Sequence, residues 1–131
     1  MANRVLLVDD EPELIRALSV RLTASGFTCA TAKNGEEGLA KVQEARPDLI
    51  IVDLLMPEMD GYEMCRRLKS DRQTASIPVL VLTAVPERSV EQHLHDLGSA
   101  RVLHKPFDSA QLLATVRELL SVPPLGGRGH G

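Results

Sequence analysis

The chain is poor in rings. Its 131 residues include no Trp, one Tyr and two Phe, so the core has to be filled by Leu, Val, Ile and Ala. A nucleic-acid surface that interleaves aromatic and basic residues is excluded by the same shortage. No basic stripe stands in for it, since 15 Lys and Arg face 18 Asp and Glu for a net charge of −3. Cysteine is scarce too. Cys29 and Cys65 each sit alone in an apolar pattern, too few for a structural zinc site, and read as buried free thiols of a reducing compartment, a disulfide between them being the weaker reading. No apolar run approaches the ~20 residues of a membrane helix, and no basic, cleavable leader follows Met1. The expectation is a soluble, cytoplasmic protein that does not enter a membrane. Neither G-x-x-x-x-G-K-[ST] nor G-x-G-x-x-G occurs, so nucleotide-binding loops of those kinds are absent.

What is present is aliphatic and periodic. Val5–Val8, Leu49–Val52 and Val79–Leu82 are unbroken apolar runs, and runs that do not alternate with polar residues suit strands buried on both faces, as in parallel sheets. The mixed segments Phe27–Ala32 and Arg101–Leu103 suit sheet edges. Helical stripes lie between them: Leu14, Ile15, Leu18 and Leu22 after Pro12; Val90, Leu94 and Leu97 before a capping Gly98; and Leu112, Leu113, Val116, Leu119 and Leu120 after Asp108 as N-cap. Weaker helical patterns span Gly35–Ala45 and Gly61–Ser70. A strand followed by a helix, five times over, predicts one α/β domain, a parallel sheet with helices on both faces, across residues 3–121. The remaining Val122–Gly131, rich in Pro and Gly, reads as a flexible tail or the start of a linker.

In open α/β sheets the chemistry gathers at the carboxyl ends of the strands. Asp9 and Asp10 end the first predicted strand, Asp53 the third, Thr83 the fourth, and Lys105 follows the fifth. Each has an ordinary explanation alone: a turn, a loop before Pro57, a strand residue, a solvated lysine. Their convergence on one rim does not. Three carboxylates placed together repel one another unless a cation sits among them, and a hard divalent ion such as Mg²⁺ prefers oxygen ligands. A carboxylate beside such an ion is a competent nucleophile toward phosphorus, with a lysine and a hydroxyl as further stabilisers.

In order and spacing, the segments Val5-Leu-Leu-Val-Asp9-Asp10-Glu11, Asp53-Leu-Leu-Met-Pro57-Glu-Met-Asp60-Gly61, Val81-Leu-Thr83-Ala84 and Lys105-Pro106-Phe107 resemble the receiver domain of two-component response regulators over about Asn3–Ser121. The resemblance implies a flavodoxin-like (βα)5 sheet of order 2-1-3-4-5, a topology that has a member of this family as a standard example. It implies that Asp53 accepts a phosphoryl group from a sensor histidine kinase or histidine phosphotransfer protein. Mg²⁺ would lie on Asp10, Asp53 and the backbone carbonyl of Leu55, with Asp9 acting largely through water. Lys105 would pair with the phosphoryl group, Thr83 would swing toward it, the Lys105–Pro106 peptide would be cis, and Gly61 would follow a turn.

The domain would then be a signalling switch, not an enzyme beyond its own phosphorylation and slow dephosphorylation. It would be a monomer or a phosphorylation-dependent dimer that alters the binding of an output partner, without itself touching nucleic acid. Two other readings remain open: a receiver fold that binds partners without phosphorylation, and an Mg²⁺-dependent aspartyl-phosphate phosphatase, which would usually carry an Asp where Leu55 stands.

Three positions depart from the family pattern. Val102 replaces an aromatic that many receivers use as a switch, so coupling through a swinging ring is not available. Leu55 and Val85, at positions that flank the phosphoryl group, are apolar and cannot orient a water through a side-chain hydrogen bond, which predicts slow loss of phosphate. His93 and His95, two apart on a predicted helix, do not share a face for a metal. His104 reads as an edge-strand residue and His130 as part of the tail.

Overall fold

Strands with no polar face can be buried only by helices on both sides. That is the arrangement in a computed structural model, which describes residues 3–56, 59–92, 97 and 100–121. Strands β1 (Arg4–Val8), β2 (Thr28–Ala32), β3 (Leu49–Asp53), β4 (Val79–Thr83) and β5 (Arg101–His104) form one parallel sheet in the order β2-β1-β3-β4-β5. Helices α1 (Pro12–Ala24), α2 (Gly35–Glu44), α3 (Gly61–Ser70), α4 (Glu87–Glu91) and α5 (Ser109–Ser121) connect and follow them. The two strands read as edges from their mixed composition are the edges, and the three unbroken runs are the centre.

Alternate side chains of the central strands enter two separate cores. Val5, Leu7, Leu49, Ile51, Leu80 and Leu82 face α1 and α5, while Leu6, Val8, Ile50, Val52 and Val81 face α2, α3 and α4. Local signals start the helices where the sheet needs them. Pro12 is at the first turn of α1, where its missing N–H costs nothing. Asn34, Asp60 and Asp108 accept from the backbone N–H three residues on, at 2.8, 3.0 and 2.7 Å. The caps of α2, α3 and α5 follow β2, β3 and β5, so these caps and the strand ends lie on the same side of the sheet.

The differences from expectation are local. β2 begins one residue later than Phe27, and β5 runs one residue further, to His104. Cys65 is buried and its thiol is pushed up to about 12, mainly by loss of water. Cys29 is only half-buried, because β2 is an edge strand, and its Sγ lies 3.7 Å from Ser19 Oγ. Both are free thiols, which removes the disulfide reading. Val90 and Leu97 of the fourth helical stripe are buried; Pro57, Leu94, Gly98, His93, His95, the tail Val122–Gly131 and its His130 lie outside the described residues. Among the described residues no helix is long and apolar enough to cross a membrane.

Candidate functional site

The parallel register brings the strand ends level. Val8 pairs with both Ala32 and Val52, Asp53 with Leu82, and Thr83 with His104, so the residues just beyond β1 and β5 stand beside the last residues of β3 and β4. Asp9 continues the ladder by donating its N–H to the Ala32 carbonyl at 3.1 Å, and the Lys105 N–H reaches the Thr83 carbonyl at 2.8 Å. The Lys105–Pro106 peptide is cis, as the family resemblance implies.

Carboxylate oxygens of Asp9, Asp10 and Asp53 lie within 4.8 Å of one another. Asp9 and Asp53 are 1% and 5% exposed, while Asp10 is open to solvent. Asp9 Oδ1 accepts from the Glu11 N–H at 3.0 Å, but Oδ2 is buried with no hydrogen-bond partner among the described residues. Burial pushes the Asp9 carboxyl up to about 6, only partly offset by the Glu11 N–H and by Lys105. A buried carboxylate oxygen with no hydrogen bond, among three acidic groups, is costly unless a cation completes the set. The donor set, all oxygen and one side open, suits a small hard divalent ion. Asp53 Oδ1 accepts from the Leu55 N–H at 3.2 Å, which ties the backbone of Leu55 to the site, and Oδ2 lies 3.3 Å from Lys105 Nζ.

Lys105 also lies 3.7 Å from Asp9 Oδ2 and 3.0 Å from Glu11 Oε1. Burial opposes its charge, yet its pKa is raised overall, because three carboxylates surround the ammonium. Thr83 is fully buried, and its Oγ1 accepts from the Val85 N–H at 2.9 Å, which leaves the hydroxyl proton to be given elsewhere.

Asp9, Asp10, Asp53, Leu55, Thr83 and Lys105, read from the sequence as the site, are therefore at this rim, with roles beyond placement resting on chemistry. Glu11 was not anticipated as a partner of Lys105; the two are 94 residues apart, and only its place in the acidic Asp9-Asp10-Glu11 run hinted at it. Leu55 is 58% exposed whereas Val85 is buried, so the two flanking apolar residues differ in how much they cover. His104 is half-buried on β5 opposite Thr83, an edge-strand position.

Gly61 is required by space rather than by turn conformation. A Cβ there would lie 2.4 Å from the Asp53 carbonyl oxygen and 2.7 Å from Leu54 Cα. Its N–H donates to the Leu54 carbonyl at 3.0 Å, closing the loop between β3 and α3 tightly against the strand end that carries Asp53.

A parallel sheet of this order, with an acidic site at its carboxyl rim, defines a flavodoxin-like α/β domain. The chain belongs to the response regulator receiver domain family, whose model matches residues 5–117. It is 40% identical over 117 residues to the DNA-binding dual master transcriptional regulator RpaA of Synechocystis, covering 89% of this chain and 48% of that protein. It is 40% identical over 119 residues to the response regulator PleD of Caulobacter vibrioides, covering 91% of this chain and 26% of that one. Among solved structures, the chemotaxis protein CheY4 of Vibrio cholerae superimposes with a TM-score of 0.85 at 35% identity, over 92% of this chain and 100% of the other. The chain thus spans about half, or less, of the length of the curated relatives it matches.

Proposed function

We propose that this receiver domain is a phosphoacceptor switch, with Asp53 as the residue that takes the phosphoryl group from a histidine of a sensor kinase or phosphotransfer protein. The observation that carries the reading is the trio Asp9, Asp10 and Asp53 facing Lys105, with one buried carboxylate oxygen that has no hydrogen-bond partner among the described residues. Asp53 attacks phosphorus, the P–N bond of the donor phosphohistidine breaks, and its electron pair returns to the imidazole nitrogen. Lys105 is held 3.3 Å from the attacking carboxylate and offers positive charge to the incoming phosphoryl oxygens. Thr83 has an unused hydroxyl proton to donate to them. Asp9, Asp10, Asp53 and the carbonyl of Leu55 would hold Mg²⁺, which when bound neutralises charge on the transferring group.

The new group adds about −1.5 to −2 charge at a rim whose loops pack against α3 and α4. The altered surface there would change binding of an output partner or favour a dimer. Val102 leaves no ring to carry the change, so repacking of side chains has to do so. The partners belong to cytoplasmic two-component signalling. Relatives named as transcriptional regulators suggest an output in gene control, reached through a partner or another domain and not through nucleic-acid contact by this one. No reaction is proposed beyond acceptance and slow loss of phosphate.

The test is intact mass after incubation with acetyl phosphate, with and without Mg²⁺, for the wild type and Asp53→Asn. A gain of one phosphoryl group that needs both Mg²⁺ and Asp53 supports the reading. A gain that survives in Asp53→Asn would refute the assignment, and a phosphorylated form lost within seconds would refute the slow hydrolysis expected from Leu55 and Val85.

A further inference from the structure

The Lys105 ammonium has three N–H donors and three carboxylates around it. Its shortest contact is not with the buried pair. Glu11 Oε1 lies at 3.0 Å, Asp53 Oδ2 at 3.3 Å and Asp9 Oδ2 at 3.7 Å, the last too long for a hydrogen bond. Glu11 precedes the first turn of α1, and its side chain makes no capping bond that would hold it there. Its N–H is fixed by Asp9 Oδ1 at 3.0 Å, so the site itself positions the residue. The Glu11 side chain is 60% exposed against 19% for Lys105, and the ammonium is drawn between a solvated acid and buried ones.

We propose that Glu11 is a competing counter-ion for Lys105, a positioning residue that draws the ammonium toward solvent and opposes the phosphorylated state of Asp53. The inference rests on the phosphoacceptor reading above. A phosphoryl group on Asp53 needs Lys105 as its partner. Glu11 then either gives up the ammonium or stays as one more anion beside the phosphoryl oxygens. Both outcomes cost the phosphorylated state, and neither costs the unphosphorylated one. A neutral residue of the same shape therefore favours the phosphoryl-bound form. The pair is open to water on the Glu11 side, so screening keeps the effect to about two- to five-fold in affinity.

The experiment is a calorimetric titration with beryllofluoride, an anionic mimic of the phosphoryl group, at saturating Mg²⁺, on wild type, Glu11→Gln and Glu13→Gln. Glu13 is an exposed acid in the first turn of the same helix, and its neutralisation makes the same change in net charge. The expected result is tighter beryllofluoride binding by Glu11→Gln, about two- to five-fold, with Glu13→Gln matching wild type and with Mg²⁺ alone bound no more tightly by Glu11→Gln. A gain of affinity is something that damage to the fold would not produce. Equal or weaker binding by Glu11→Gln overturns the inference while leaving the phosphoacceptor reading intact, and an equal gain in Glu13→Gln overturns it in favour of a general field effect. Wild type that binds no beryllofluoride overturns both.

Discussion

The two sides of the sheet are built from different material. Under α1 and α5 the buried side chains among the described residues are Leu, Ile and Val alone, with Leu22 and Leu112 wholly enclosed. Under α2, α3 and α4 the same residue types are joined by Met56, Met59, Met64 and Cys65. Leu54, Met56 and Val85, from the loops that follow Asp53 and Thr83, pack into this second core and not the first. Branched aliphatic side chains have few rotamers and fix one arrangement, whereas unbranched Met refills a changing space at little cost. One side thus serves as scaffold, and the other adjoins the site with side chains able to repack. On the proposed switch, with Val102 in place of a ring, that second core would be the route by which a change at the rim reaches a surface.

Damage to the scaffold should be large and functionally neutral. Leu112→Ala empties a fully buried position and should cost about 2–5 kcal/mol in denaturant unfolding, while molecules still folded gain phosphate from acetyl phosphate as wild type does. A folded variant that had lost acceptance would break the division between the two sides. The next effect belongs to the site itself. The folded Asp9 carboxyl titrates at about 6 against an ordinary 3.8, so the folded protein holds this proton more tightly than the unfolded chain. The contribution to stability therefore falls as pH rises from about 4 through 6, and the full loss of about 3 kcal/mol is present above that. Asp9→Asn should remove this part of the pH dependence and melt higher than wild type at neutral pH without divalent ions. Mg²⁺ should raise the melting temperature of wild type more than that of the variant. Identical melting profiles from pH 4 to 8 would show that Asp9 is not destabilised by its burial.

The sheet was legible because three unbroken aliphatic runs leave a strand no solvent face, and because the mixed Phe27–Ala32 and Arg101–Leu103 could survive only at edges. The rim followed from topology, since whatever ends the strands of a parallel sheet ends up together. What escaped was whatever depends on the third dimension alone. Nothing local to Glu11 or Lys105 announces a contact across 94 residues. Cys29 looked buried because its neighbours are apolar, but an edge strand leaves one flank open. Gly61 was expected only to follow a turn, and the sequence did not show that a Cβ there would lie 2.4 Å from the Asp53 carbonyl oxygen. Gly61→Ala should accordingly cost about 1–3 kcal/mol by overpacking. Unlike Leu112→Ala, it should sharply reduce phosphoryl acceptance, because either backbone must move and one of them carries Asp53. Normal acceptance by a destabilised Gly61→Ala would mean that α3, and not the end of β3, absorbs the shift.

The smallest effect is the most direct test of the comparison. Met64 fills the hollow above Gly38, its Cε lying 2.9 Å from where a Cβ on that glycine would sit. Leu at position 64 keeps the apolar bulk but not the reach or the freedom of the thioether, and Met64→Leu should cost less than about 1.5 kcal/mol. Saturating wild type with beryllofluoride and Mg²⁺ should perturb the backbone amide resonances of α3 and α4 more than those of α1 and α5. In Met64→Leu the perturbation at α3 should shrink while that at the rim is kept, because the site is intact and only the adaptable filling behind it has been stiffened. Perturbations of equal size on both sides of the sheet, or no difference between Met64→Leu and wild type, would mean that the change travels through the strands themselves and that the methionines are merely core.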